Sequence, residues 1–159
     1  MSETALTKKK KIFAVASFGG HWIQLLRIAK PLEEFYNITY ISTNKKCSTM
    51  IDGKKFYSIT DFSRWNAWKM FFAVFSIIWI LLKERPTTII STGAAPGLLV
   101  LLIAKFLFFR KTIWIDSFAN ASQLSFCGKL ALKFSIDHVY TQWEHLCDSR
   151  IKYSGNILG

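Results

Sequence analysis

The chain has 159 residues, of which 51% are hydrophobic, so it is long enough to bury a core and too apolar to be disordered. Its 21 basic and 10 acidic residues give a net charge of +11, which predicts an anionic partner: lipid headgroups, a phosphorylated substrate or nucleic acid. The three cysteines fit no metal-ligand spacing and predict free thiols in a reducing compartment.

In chain order, residues 1–11 form a basic lead-in that we expect to be mobile and that does not resemble a signal peptide. The apolar runs predict strands over 12–17, 37–43 and 56–59, with a helix over 21–35 that Pro31 kinks or shortens. A hydrophobic helix over 70–82 follows. Next come a strand over 87–91, a helix over 94–109, a strand over 111–116, a helix over 128–135, a strand over 137–141 and a short helix over 143–150.

The alternation of strands and helices indicates βαβ units. It predicts an α/β fold: a single Rossmann-like domain over 12–159 with a mostly parallel sheet. Ligands of such sheets bind outside the carboxyl ends of the strands. The loops over 17–21, 91–96 and 116–123 are therefore the candidate binding loops.

The segment over 70–82 is uncharged, but its 13 residues reach only about 20 Å as a helix, which is short of the ~30 Å hydrocarbon core of a bilayer. A transmembrane span is possible but not favoured. Tryptophans and basic residues at its ends are typical of a helix at a membrane interface, and a core helix against the sheet is the alternative. The predicted membrane-contact residues are Trp65, Trp68, Phe71, Phe72, Phe75 and Trp79.

Two strand ends carry small residues followed by a helix. Ser17 leads into Gly19 and Gly20, and His21 lies at the start of the next helix, where a side chain can act as a base or a hydrogen-bond donor. The series Ser91, Thr92, Gly93 repeats the arrangement. Because the Gly-x-Gly-x-x-Gly fingerprint is missing, a dinucleotide cofactor is disfavoured.

A third strand ends at Asp116, with Ser117 and Asn120 just beyond it. A carboxylate in this place is either a catalytic group or a solvated or capping aspartate, and the spacing leaves both open. We predict His21 and Asp116 as catalytic residues. The remaining loop residues are candidates for binding phosphate and for lining a ligand pocket: Ser17, Gly19, Gly20, Ser91, Thr92, Gly93, Ser117 and Asn120.

Several motifs in order give the chain a family resemblance. They are Ser17-Phe-Gly-Gly-His21 with Gln24-Leu-Leu, Ser91-Thr-Gly93, Ala104-Lys105, Ile115-Asp-Ser-Phe-Ala119, Ser125-Phe-Cys-Gly-Lys-Leu130, Gln142-Trp-Glu-His-Leu146 and Tyr153-Ser-Gly155. From residue 12 onward the chain resembles the PssD family of exopolysaccharide and capsule proteins. It is also similar to their eukaryotic relative, the membrane subunit of the dolichol-linked N-acetylglucosamine transferase.

The resemblance implies the acceptor-side, N-terminal half of a split GT-B glycosyltransferase, like that half of MurG-type lipid-linked transferases. A separate PssE-like subunit would bind the UDP-sugar, with Gln142, Trp143 and Glu144 at the interface. The loop residues named above would bind the acceptor, a polyprenyl-diphosphate-linked sugar, at the cytoplasmic face of the membrane. The resemblance implies that the enzyme needs no cofactor and no metal. Asp116 stands where the family usually has glutamate, and Asn120 where arginine is expected, so the base stays open between His21 and Asp116.

Two other functions fit fewer features. A non-catalytic membrane scaffold would recruit and activate a partner that holds all the catalytic residues. Nucleic-acid binding is suggested by charge alone, and the aromatic residues lie in apolar runs rather than interleaved with basic residues. We therefore predict no nucleic-acid partner.

Overall fold

The computed structural model describes residues 9–62 and 64–158. The strands are β1 (Lys11–Ala16), β2 (Asn37–Ser42), β3 (Phe56–Ser58), β4 (Thr88–Gly93), β5 (Lys111–Ile115), β6 (His138–Thr141) and β7 (Ile151–Tyr153). The helices are α1 (Gly20–Leu32), α2 (Lys69–Glu84), α3 (Ala95–Phe108) and α4 (Phe126–Lys133). The predicted lead-in over 1–11 lies largely outside the described residues, and Lys11 begins β1.

The seven strands of the described residues pair in parallel in one sheet of order β3-β2-β1-β4-β5-β6-β7. The order reverses between β1 and β4, which places a crevice at the carboxyl ends of these central strands. The predicted α/β fold with a parallel sheet is thus confirmed.

Helices cover both faces of the sheet. One core forms between α1 and strands β1, β2 and β4, around Trp22, Leu25 and Tyr40. A larger core lies on the other face, where α2 packs on α3 and α3 packs on β4 and β5. The apolar runs of the central strands are continuous because both of their faces are buried.

The predicted hydrophobic helix is α2, and it is 16 residues long. Its buried residues recur at helical spacing: Ala73, Ile77, Ile80, Leu81 and Glu84. Its opposite side exposes aromatic residues. Among the described residues, no helix combines the length and the apolar composition that crossing a membrane requires.

The predicted helix over 143–150 is wrong. A 3₁₀ turn over Glu144–Leu146 is followed by the short edge strand β7. The Asp148 carboxylate accepts hydrogen bonds from the backbone N–H groups of Arg150 and Ile151, both at 2.7 Å, and so stabilises a turn rather than a helix. In α1, Pro31 lies one residue before the helix ends at Leu32, in keeping with the predicted shortening.

Candidate active site

The carboxyl ends of β1, β4 and β5 meet at one edge of the sheet. The Ser17 N–H donates to the Gly93 carbonyl at 2.8 Å, and the Ala94 N–H donates to the Ser17 hydroxyl oxygen at 3.2 Å. The predicted loops over 17–21 and 91–96 are therefore brought together.

Gln24 ties the third loop to α1 and was not among the predicted site residues. Its buried amide donates to the Asp116 carbonyl at 2.9 Å and accepts from the Phe118 N–H at 3.2 Å. Because one side chain satisfies two backbone groups, the loop after β5 is held at a fixed distance from α1. The sequence offered one signal, a polar residue among the apolar positions of a helix.

His21 is held by two hydrogen bonds to Thr92. Its Nδ1 lies 2.8 Å from the Thr92 carbonyl oxygen, and the Thr92 hydroxyl donates to the His21 carbonyl at 2.7 Å. Since a carbonyl only accepts, Nδ1 carries the proton, and in the neutral ring Nε2 keeps its lone pair. His21 lines a cleft of about 300 Å³ together with Ser117 and Asn120.

The small residues of the first two loops have different tasks. Gly19 has a φ of +102°, a backbone conformation that a residue with a side chain rarely adopts. Gly20 is exposed to solvent. A Cβ on Gly93 would lie 2.8 Å from the His21 ring, so the missing side chain of this glycine leaves room for the imidazole. Ser91 and Thr92 are fully buried, and their side chains serve the loop itself.

Asp116 is 1% exposed, and both of its oxygens are occupied. Oδ1 accepts from the Ser125 hydroxyl at 2.5 Å and from the Trp114 indole N–H at 3.1 Å. Oδ2 accepts from the Ser125 backbone N–H at 2.8 Å and from the Asn120 amide at 3.4 Å. Four donors fill the usual capacity of a carboxylate, which favours the capping role that the sequence left open.

Ser125 extends this cluster into α4. Its hydroxyl oxygen caps the helix by accepting from the Gly128 N–H at 2.9 Å. The nearby Cys127 thiol is half-buried, and burial together with the negative charge of Asp116 raises its pKa. Among the described residues, no group of three or more His, Cys, Asp or Glu side chains is placed to hold a metal ion.

The three residues predicted at a partner interface differ in exposure. Gln142 is buried and accepts from the Ile157 N–H at 3.1 Å, so its side chain fastens the C-terminal segment. The Trp143 indole donates to the Phe118 carbonyl at 2.9 Å, and its ring packs on Phe118. Glu144 is exposed. Of the three side chains, that of Glu144 is the one most open to a partner.

The exposed side of α2 forms the aromatic face, which contains Trp68, Phe71, Phe72, Phe75 and Trp79, all more than half exposed. Trp65, in the turn before α2, is 91% exposed. Lys83 lies 4.6 Å from the centre of the Trp79 ring, and Lys69 lies 5.8 Å from that of Trp68. An apolar surface of this extent, with cations at its edges, is unusual for a surface that faces only water.

Comparison with solved structures places the fold. MurG of Acinetobacter baumannii aligns with a TM-score of 0.74 at 14% identity, over 91% of this chain and 45% of that chain. A glycosyltransferase from Rickettsia africae gives 0.69 at 14% identity, over 92% and 43%. The UDP-GlcNAc 2-epimerase of Methanocaldococcus jannaschii gives 0.64 at 19% identity, over 92% and 45%. The chain thus has the GT-B half-domain fold and spans less than half of each of these proteins.

A comparison with curated proteins found no match. Residues 58–157, however, match the family described as oligosaccharide biosynthesis protein Alg14 like. The matched region includes α2, the Asp116 cluster and Gln142, and it begins after His21. Since it covers more than half of the sequence, the chain belongs to the Alg14-like family of oligosaccharide biosynthesis proteins.

Proposed function

We propose that this chain is the acceptor-side subunit of a split, PssD-type glycosyltransferase at the cytoplasmic face of the membrane. It would bind a polyprenyl-diphosphate-linked sugar, while a separate PssE-like subunit would bind the UDP-sugar. The product would enter an exopolysaccharide, a capsule or another surface glycan. The family membership and the GT-B half-domain fold support this proposal.

The observation that carries the proposal is the placement of His21. Its tautomer is set by the Thr92 carbonyl, so that Nε2 is free to accept a proton in the cleft at the carboxyl edge of the sheet. In the reaction, Nε2 takes the proton of the acceptor hydroxyl as that oxygen attacks the anomeric carbon. The bond from this carbon to the diphosphate breaks, and UDP is the leaving group, still bound to the partner. One displacement of this kind needs one base.

Asp116 has a supporting role in this mechanism. Its carboxylate holds Trp114, Asn120 and Ser125, which line the His21 cleft. We infer that it is a positioning residue and that His21 is the base. For the proposed acceptor binding, Ser117 and Asn120 have the support that they line the His21 cleft. Ser91 and Thr92 are buried and would act through the loop.

Membrane association is proposed for the aromatic face of α2. A fully buried aromatic side chain gains about 1.5–3 kcal/mol from leaving water, so several partly inserted rings suffice for peripheral binding. Lys69 and Lys83 extend beside the rings and can meet anionic headgroups, each for roughly 1 kcal/mol. The chain would lie on the bilayer with α2 along its surface.

The test is sugar transfer by the complex of this chain with its partner in membranes. We expect transfer from the UDP-sugar to the lipid acceptor by the complex and none by either protein alone. His21→Asn should abolish turnover and leave partner binding intact. His138→Asn is the matched control, because His138 lies at the amino end of β6, away from the cleft.

Two results would count against the proposal. Full activity of the isolated chain would exclude a split enzyme. Unchanged turnover in His21→Asn, with the partner still bound, would favour the scaffold, in which the partner holds every catalytic residue.

A further inference from the structure

An apolar groove of about 690 Å³ lies beside the His21 cleft. It runs between the first turns of α3 and α4 and the segment before α2, and its apolar lining includes Phe18, Phe62, Trp65, Leu98, Phe126 and Leu130. Three of these rings are open to solvent: Phe18 is 56% exposed, Trp65 91% and Phe126 69%. The volume is within the roughly 300–1,000 Å³ of small-molecule sites.

One end of the groove is continuous with the His21 cleft. Ala94, Phe126 and Cys127 line both cavities. The hydroxyls of Ser17 and Thr43 also line the groove; each accepts a backbone N–H bond and keeps its own proton to donate. A molecule that fills both cavities therefore meets polar groups at His21, these two hydroxyls, and mainly carbon over the rest of the groove.

The other end of the groove leads to the aromatic face of α2. Asp61 lines the groove and also a depression on α2 formed by Trp68, Phe72 and Phe75. The Asp61 side chain is exposed, so its carboxylate stays hydrated at this end of the groove. The groove thus leads from the cleft to the edge of the aromatic face, with Asp61 at the junction.

We propose that this groove holds the hydrocarbon chain of the lipid-linked acceptor next to its diphosphate, an inference that rests on the proposed function. An apolar channel that is polar at one end and reaches the membrane face at the other matches an amphiphile whose tail returns to the bilayer. Removing this lining from water favours binding by about 25 cal/mol per Å² of apolar area. The groove therefore selects acceptors by their tail, and the His21 cleft selects them by their head.

The first test fills the groove with Leu130→Trp in the complex with its partner. It compares two acceptors that carry the same sugar diphosphate, one on a long isoprenoid chain and one on a short chain. We expect KM for the long-chain acceptor to rise about tenfold, the factor for losing roughly 60 Å² of apolar contact. The kcat value and the use of the short-chain acceptor should stay the same.

Phe134→Trp is the matched control, because it adds bulk at the end of the same helix but outside the groove. If wild type transfers sugar and Leu130→Trp treats both acceptors like wild type, the groove assignment is overturned and the proposed function stands. If wild type transfers no sugar to any acceptor, the proposed function fails. The second test then decides whether the groove binds an isoprenoid chain.

The second test uses the native thiol of Cys127, which lines both cavities, as a probe in the isolated chain. Cys147→Ser removes the exposed thiol, and Cys47 is fully buried. A long-chain isoprenyl phosphate in detergent should slow maleimide labelling of Cys127 about tenfold, and empty micelles should not; this factor corresponds to about 1.4 kcal/mol of binding. The groove would be overturned as a lipid site if the lipid left the labelling rate of Cys127 unchanged. It would also be overturned if the labelling slowed only when the partner was added.

Discussion

Glu84 is a buried carboxylate at the end of α2, and its replacement by glutamine should destabilise the fold. Its side chain is 2% exposed and accepts from Lys11 at 2.8 Å, from Lys55 at 2.7 Å and from the Tyr57 hydroxyl at 2.6 Å. These bonds fasten α2 to the amino ends of β1 and β3. The cluster therefore fixes the helix whose other side is the aromatic face.

The size of the effect follows from the pKa of Glu84. Burial alone would raise this pKa, but the hydrogen bonds from Lys11, Lys55 and Tyr57 and the charge of Lys11 outweigh burial and lower it from 4.5 to about 2. A shift of this size corresponds to roughly 3 kcal/mol. Because the lysine side chains are 30% and 54% exposed and can regain water, we expect Glu84→Gln to cost about 2–3 kcal/mol, below the 3–5 of fully buried pairs.

The assay is thermal or urea unfolding of wild type and Glu84→Gln. At neutral pH we expect Tm to fall by about 4–12 °C. Since the pKa is lowered in the folded state, the stabilisation is present above the unfolded pKa of 4.5 and is lost as the pH falls towards 2. The difference between the two proteins should therefore shrink across this window.

Glu34→Gln is the control, because it removes the same charge from an exposed position. A difference below about 1 kcal/mol at neutral pH, the scale of a surface ion pair, would refute the reasoning. So would a difference that stays constant from neutral pH down to the acid end of the window.

Three further changes test the site and the surface. Gly93→Ala places a Cβ 2.8 Å from the His21 ring at a φ of +118°, so we expect about 1–3 kcal/mol of strain and at least about a tenfold loss of transfer; wild-type rates would argue against the ring position. Asp116→Asn should lower stability by about 1–3 kcal/mol, because an amide donor replaces an acceptor in a full cluster. Lost turnover with unchanged stability would instead restore Asp116 as a base. Phe72→Ser with Phe75→Ser should weaken vesicle binding about tenfold or more, as measured by flotation, and should spare transfer to a detergent-solubilised acceptor.

The sequence predicted the central strands because their apolar runs are buried on both faces and end in glycine or polar residues. It missed β7, which is three residues long and buries Ile151 alone. So short an edge strand carries no period to recognise, and the turn at Asp148 that precedes it depends on one side chain bonding to the backbone. Local patterning therefore favoured a helix there, wrongly.

The candidate site was predictable in its location but not in its roles. The loops at the strand ends identify the edge of the sheet at which the site lies. The tautomer of His21 could not be predicted, because it is set by the Thr92 carbonyl, which lies 71 residues away in the chain. Asp116 gave one readable signal: Trp114, two residues earlier, points to the same side of the strand. Its other donors, on Asn120 and Ser125, come from the loop that follows, whose path the sequence does not specify.

The packing of α2 constrains how this chain can meet a bilayer. One side of the helix is committed to the core by Ala73, Ile77, Ile80 and Leu81, and its end is fastened by Glu84. To cross a membrane, α2 would have to leave α3 and carry a paired carboxylate into hydrocarbon, at a cost of several kcal/mol. Lying along the surface requires neither step. In that orientation the aromatic face would meet lipid over about 24 Å of helix, and the first turn of α2 would lie beside the groove that leads to His21.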